Sequence, residues 1–311
     1  MFRPILACDM EWDKVDSISY PILAQPKLNG IRGNFYSNYL YSRRGKLLPN
    51  MHLQVAANSV LRDVVNYGLL DMEITAGTYT ETQSAVRSYS RETTFTLNIF
   101  DYIEDIRRSS AFAVPYAKRL EQADSIVEKV QEKLPPNLEV KCIPRYYIVS
   151  IDTLRCYYDD CVNVRKLEGI CYRPLSATYK QGRATWAGQE LIRAKPEKTS
   201  EARVVSVIEL LRNENEAKIN ALGYTERSSE ARALVEGATL GALVVVDLKS
   251  QQQFAVGTGQ GWTTEFRKEV WENQEQYIGM VLKYKYFDHG IKDKPMSASF
   301  LAWMEEGEVE L

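Results

Sequence analysis

The first two-thirds of this 311-residue chain alternates strand-like and helix-like patterns, and the last third is a series of short β-runs interrupted by one helix. With a length suited to two domains, these observations predict an α/β fold over residues 1–198 followed by a small OB-fold β-barrel over 199–311.

The elements follow from local pattern. Ile31–Ser37 and Tyr39–Arg43 alternate apolar and polar residues about a Ser37-Asn38 turn, which predicts a hairpin. Asn50 can cap a helix reaching about Tyr67, with Leu53, Ala56, Val60, Leu61 and Val64 on one face. Leu69–Thr75 and Thr94–Ile103 read as buried strands. Pro115 fits the first turn of a helix that Pro135-Pro136 stops after Leu134. Leu138–Val149 reads as one strand, Ser150 caps another helix, and Ile170–Arg173 and Glu190–Ala194 are short strands. Cys156 and Cys161 read as core positions of that helix. Arg203–Leu211, Ala242–Leu248, Phe254–Gly257 and Met280–Phe287 supply the barrel, with a helix near Thr263–Asn273. Arg212–Leu240 is polar and aperiodic, and a segment of that kind inside a compact domain is expected to be functional. The boundary is expected near Glu197–Glu201.

Composition narrows the function. Hydrophobic residues make up 45% and charged residues 26%, as in ordinary globular proteins. No apolar run is long enough to span a membrane, and the N-terminus lacks a secretory pattern. Five cysteines without a CxxC spacing favour a reducing, cytoplasmic compartment. Two histidines argue against His-rich zinc sites and Ser/His/Asp triads. The net charge of −2 excludes a uniform basic coat, so any polyanion site must come from clustering.

Such clusters exist. No acidic residue occurs from Lys27 to Lys46, a stretch holding Arg32, Arg43 and Arg44. From Lys141 to Lys198 there are 11 Lys/Arg against 6 Asp/Glu. Inside these segments lie six short motifs in order. Lys27-Leu28-Asn29-Gly30-Ile31-Arg32 has the form K-x-(D/N)-G-x-R. Ser42-Arg43, Leu70–Ile74 with Glu73, Ile99–Tyr102 with Phe100, Glu168–Arg173 and Leu191–Pro196 come after it. Each is weak alone, but the ordered series resembles that of the covalent nucleotidyltransferases: ATP-dependent DNA ligases, RNA ligases and mRNA-capping enzymes. Tyr179–Arg183, Gly223–Ser228 and Gln276–Phe287 are similar to the small DNA ligases of the Chlorella virus type, so the resemblance spans the chain.

The resemblance implies an adenylating nucleotidyltransferase domain, ligase-like in the manner of an ATP-grasp enzyme, followed by the OB-fold. It also implies a chemistry. A lysine amine attacks the α-phosphorus of ATP, AMP passes to the 5′-phosphate of a nick, and the 3′-hydroxyl then displaces AMP. Phosphoryl transfer relies on positioning and charge neutralisation, so cations and a divalent ion, Mg²⁺ or Mn²⁺, belong at the site. By the same resemblance Lys27 is the nucleophile, with Arg32 and Lys195 as catalytic neighbours. Glu73, Phe100, Arg183, Arg193 and Lys195 hold the nucleotide, Phe100 by stacking on adenine. Glu73 and Glu168 supply the hard oxygen ligands that a metal prefers. Asn29, Arg32, Arg43 and Arg44 face nucleic acid. The expected partner is nicked duplex DNA, bound by a monomer whose segment 212–240 acts as a latch.

Departures keep alternatives open. Asn29 stands where DNA ligases usually have aspartate, a spelling shared with some RNA-joining enzymes, so an RNA or RNA/DNA-hybrid ligase is the second reading. Met72 replaces a glycine, and Arg193 replaces the first lysine of a K-x-K pair. Phe300–Leu311 has no cation where the family carries a basic motif; Lys292 and Lys294 are the nearest candidates to orient pyrophosphate. A non-catalytic nick-binding protein is the third reading.

Overall fold

The computed structural model describes residues 2–196, 198–219, 223–228, 230, 233–259, 261–287 and 295–304. Two compact units divide the chain: Met1–Lys195 with Ile219–Thr225, and Pro196–Lys218 with Glu226–Leu311.

The first unit contains two five-stranded sheets. One runs in the order Tyr39–Ser42, Ile31–Tyr36, Leu69–Thr75, Phe95–Ile103, Leu138–Cys142. The helices Met51–Val65 and Tyr116–Val130 contribute Leu53, Ala57, Leu61, Ala123 and Val130 to the apolar cluster of this sheet. The expected hairpin is present, with Ser37 and Asn38 both at positive φ, as a two-residue turn matched to strand twist requires. Asn50 accepts from Leu53 N at 2.8 Å and caps its helix.

The other sheet runs Cys8–Asp9, Ile192–Ala194, Ile170–Pro174, Ile22–Pro26, Tyr146–Ile148. Its core includes Ile22, Ala24, Ile170, Tyr172 and Ile192, covered by Leu154 and Tyr157 of the helix Ile151–Asp159. The single strand expected over Leu138–Val149 is instead two strands, Leu138–Cys142 and Tyr146–Ile148, in different sheets. Pro144 lies in the break and removes a ladder donor there. Cys161 is buried as expected, but Cys156 is exposed: five residues is about 500° of α-helical turn, which puts the two cysteines on faces about 140° apart.

The second unit is a five-stranded barrel in the order Lys198–Asn213, Leu234–Asp247, Gln253–Gly257, Met296–Trp303, Val281–Phe287, with the last strand pairing back onto the first. Its core is Ala202, Val204, Leu243, Val245, Val256, Leu282 and Tyr284, closed by Val270 of the helix Thr264–Glu272. Two differences from expectation concern length. The first two strands pair far beyond their predicted ends, down to Asn213 opposite Leu234, so both ends of the segment 212–240 are regular β-structure. Within it, Ala217–Ile219 pairs with Thr225–Arg227, while residues 220–222, 229, 231 and 232 lie outside the described set. Phe300 is a core residue of the fifth strand rather than the start of a tail. Lys292, Lys294 and residues 305–311 lie outside the described residues.

Candidate active site

The strand pattern of the second sheet explains how three charged side chains meet. Ile170–Pro174 lies antiparallel between Ile22–Pro26 and Ile192–Ala194, and Ile170 is opposite both Pro26 and Ala194. The residues just beyond these ends are therefore neighbours: Lys27 on one flank, Glu168 in the middle, Lys195 on the other. Lys27 Nζ sits 2.5 Å from Glu168 Oε2, and Lys195 Nζ pairs with the other carboxylate oxygen. The crossing leaves no space at Gly169, whose φ is +138° and where a Cβ would lie 2.1 Å from the Ala194 carbonyl. Burial pushes the Glu168 carboxyl up, but Lys27 and Lys195 outweigh it and hold the group below its usual range.

The first sheet supplies the opposite wall. Arg32 pairs in register with Glu73, and Asn34 with Asp71, so all four side chains share one face. Gly30 passes so close to the strand Leu69–Thr75 that a Cβ would be 2.4 Å from the Ile74 carbonyl; its N–H donates to Glu73 Oε1 at 3.0 Å. Burial pushes the Glu73 carboxyl up to about 7 against the pull of Lys27 and Arg32. Arg32 is held by a buried carboxylate: Nε and Nη2 reach Asp71 at 2.8 and 2.5 Å, and Nη1 donates to the Ile5 carbonyl. Tyr179 Oη and Asn34 Nδ2 complete the shell of Asp71 at 2.7 and 2.8 Å. Arg32 is thus at the site but already partnered.

Phe100 owes its position to a β-bulge. Asp71 is opposite Asp101 and Met72 opposite Ile99, so Phe100 is the extra residue between them. Its neighbours Ile99 and Asp101 are fully buried, while Phe100 lines the pocket with the Arg32 guanidinium 5.2 Å from its ring centre.

These walls enclose a pocket of about 450 Å³. Of the residues expected at the site, Lys27, Arg32, Glu73, Phe100, Arg43, Arg183 and Arg193 line it. Glu168 and Lys195 stand behind Lys27 rather than on the lining. Asn29 and Arg44 are exposed and off the lining, with the Arg44 guanidinium 5.3 Å from the Tyr224 ring centre. Arg193 reaches Asp9 Oδ1 at 2.6 Å, and Arg183 donates to the Ala7 carbonyl at 3.0 Å. Burial pulls the Arg43 guanidinium down, and Arg32, Arg183 and Arg44 add to that. The expectation also missed Gln25 and a helix, Tyr79–Arg87, that lends Tyr79, Gln83 and Arg87 to the lining. The capping box from Thr78 to Glu81 is legible in the sequence and marks the start of that helix.

Known proteins share this architecture. Residues 236–303 match the DNA ligase OB-like domain family. The Chlorella virus DNA ligase-adenylate structure is 25% identical, with a TM-score of 0.54 and 98% of each chain covered. A structure from the Lig E DNA ligases is 18% identical, with a TM-score of 0.67, covering 98% of this chain and all of that one. The ATP-dependent DNA ligase from bacteriophage T7, in complex with ATP, is 16% identical with a TM-score of 0.55 over 97% of this chain and 98% of that one. A search of curated proteins gives no match. The resemblance carried by the motifs therefore extends to the fold of ATP-dependent DNA ligases and to an OB-like domain, and it supports a ligase enzyme.

Proposed function

We propose that the chain is an ATP-dependent DNA ligase that seals 5′-phosphate/3′-hydroxyl nicks through a lysyl-AMP intermediate on Lys27. The observation that carries this reading is that Lys27, paired with Glu168 beside Lys195, lines a nucleotide-sized pocket together with Glu73 and Phe100. Adenine stacks on Phe100. Arg43, Arg183 and Arg193 surround the phosphates with positive charge, and Arg193 exchanges Asp9 for a phosphate oxygen.

Attack by Lys27 requires its pair with Glu168 to open and Nζ to lose a proton. A triphosphate offers Lys195 an anionic partner in place of Glu168. The freed carboxylate is then the acceptor nearest that proton, 2.5 Å from Nζ before binding. Arg32, pinned by Asp71, presents a fixed rather than a mobile charge. Among the described residues no three acidic, histidine or cysteine side chains group to hold a metal ion. Glu73 and Glu168 are two carboxylates at one site, and two carboxylates completed by phosphate oxygens and water are a donor set that suits Mg²⁺. A divalent ion bound there would neutralise phosphate charge.

Asn29 supports one competing reading, a ligase for RNA or RNA/DNA hybrids. A panel of nicked DNA, hybrid and RNA duplexes tests the choice: fastest sealing of nicked DNA supports the first reading, and sealing confined to RNA-containing nicks replaces it with the second.

A further inference from the structure

Tyr116 is fully buried, and its hydroxyl joins the two sheets. Its hydroxyl lies 2.9 Å from Gln25 Oε1 and 3.1 Å from the Phe100 carbonyl. Gln25 belongs to the strand Ile22–Pro26 that leads into Lys27, and Phe100 to the strand Phe95–Ile103 of the other sheet. Both line the pocket, whereas Tyr116 does not. Two guanidinium groups contact the phenol ring, Arg173 at 4.4 Å and Arg119 at 5.3 Å from its centre. Both arginines pair with the fully buried Asp101. Gln25 is fixed at its other end by a long contact from Nε2 to the Ile143 carbonyl at 3.4 Å. Nε of Arg173, a pocket-lining residue that is 2% exposed, has no hydrogen-bond partner among the described residues.

We propose that Tyr116 is a positioning residue that sets the spacing between Gln25 and Phe100, and so the fit of the nucleobase in the pocket. The inference rests on the ligase reading and deepens it by assigning base recognition to a side chain that never touches the base. Its physical basis is that one hydroxyl ties two walls which no backbone ladder connects at this point. The hydroxyl has one proton, which Gln25 Oε1 and the Phe100 carbonyl share, so without it both acceptors lose the donor that links them. The Asp101 cluster fixes the ring, so removing the hydroxyl alone changes the tie and leaves the packing.

The test is Lys27-adduct formation by the full chain, with ATP and with purine riboside triphosphate, which lacks the exocyclic amine. In Tyr116→Phe the KM for ATP should rise about tenfold, the value of one hydrogen bond. The maximal rate should stay within about threefold, and the preference for ATP over the analogue should shrink. The melting temperature should move by only a few degrees, since the ring keeps its contacts with both guanidiniums. Gln25→Ala cuts the same tie from the other side and should reproduce the KM change if Tyr116→Phe folds poorly. An unchanged KM and unchanged base preference in both variants would overturn the proposal. So would a loss of maximal rate at unchanged KM. Absence of any adduct in the unaltered chain would instead overturn the ligase reading, and this inference with it.

Discussion

Glu168 holds the ammonium of Lys27 with one carboxylate oxygen, at 2.5 Å, and that of Lys195 with the other. Removing the carboxylate leaves two cations side by side and removes the proton acceptor nearest Lys27. Glu168→Ala should lower sealing by at least ~10²-fold, the scale of losing one preorganised electrostatic contact. Rates equal to the unaltered chain at every Mg²⁺ concentration would make Glu168 an ordinary surface acid.

Glu73 gives a pH dependence of known sign. Its carboxyl is raised in the folded chain to about 7 from an ordinary value near 4.5. A raised carboxyl stabilises the fold below the ordinary value and loses that contribution as pH climbs through the folded one. Glu73→Gln keeps the acceptor for Gly30 N–H and removes the charge. Without divalent ions, its melting temperature should match the parent's at pH 4–5 and exceed it by a few degrees at pH 8. A constant difference across that range would show that Glu73 does not titrate there.

Asp101 is the structural counterpart. It is fully buried and accepts from both Arg119 and Arg173. Burial pushes its carboxyl up, but the two guanidiniums prevail and hold it low. Asp101→Asn leaves two buried cations without their anion and should cost about 3–5 kcal/mol in denaturant unfolding. A cost under about 1 kcal/mol would mean that water reaches the cluster.

The pairing of Asn213 with Leu234 makes both ends of the latch segment part of the barrel. Deleting 212–240 would remove barrel residues such as Leu240, which is fully buried. Replacing residues 214–233 with a short Gly/Ser turn spares the barrel. Nick affinity should then fall much more than the rate of adduct formation. In the parent chain, if about 5–8 phosphates are contacted, log K should fall with log salt at about −0.9 per contact. Equal losses of nick binding and adduct formation would assign the segment a structural role.

The legible parts of this molecule are those where one residue type leaves few options. The Ser37-Asn38 turn, the Asn50 cap and the spacing of Lys27 from Gly30 each reflect a local steric or hydrogen-bond demand. The strand Ile22–Pro26 was hidden because it is buried on both faces and shows no alternation. The helix Tyr79–Arg87 buries only Thr82, Ala85 and Val86, too few for a clear apolar face. The partners of Arg32 and Glu168 were not legible at all. Asp71 and Lys195 reach them across strands, through a register that no single segment encodes. The bulge that turns Phe100 toward the pocket arises from a mismatch between two strands, so a one-strand pattern reads that residue as core.

Adenylation of Lys27 is tested most directly by incubating the full chain with labelled ATP or GTP and Mg²⁺, then mapping retained label after denaturation. A covalent AMP adduct on Lys27 is expected, with none from GTP. Lys27→Ala and Lys27→Arg should both fail to form it, since a methyl has no nucleophile and a guanidinium stays protonated. Label retained by Lys27→Ala, or a GMP adduct in place of AMP, would contradict the account.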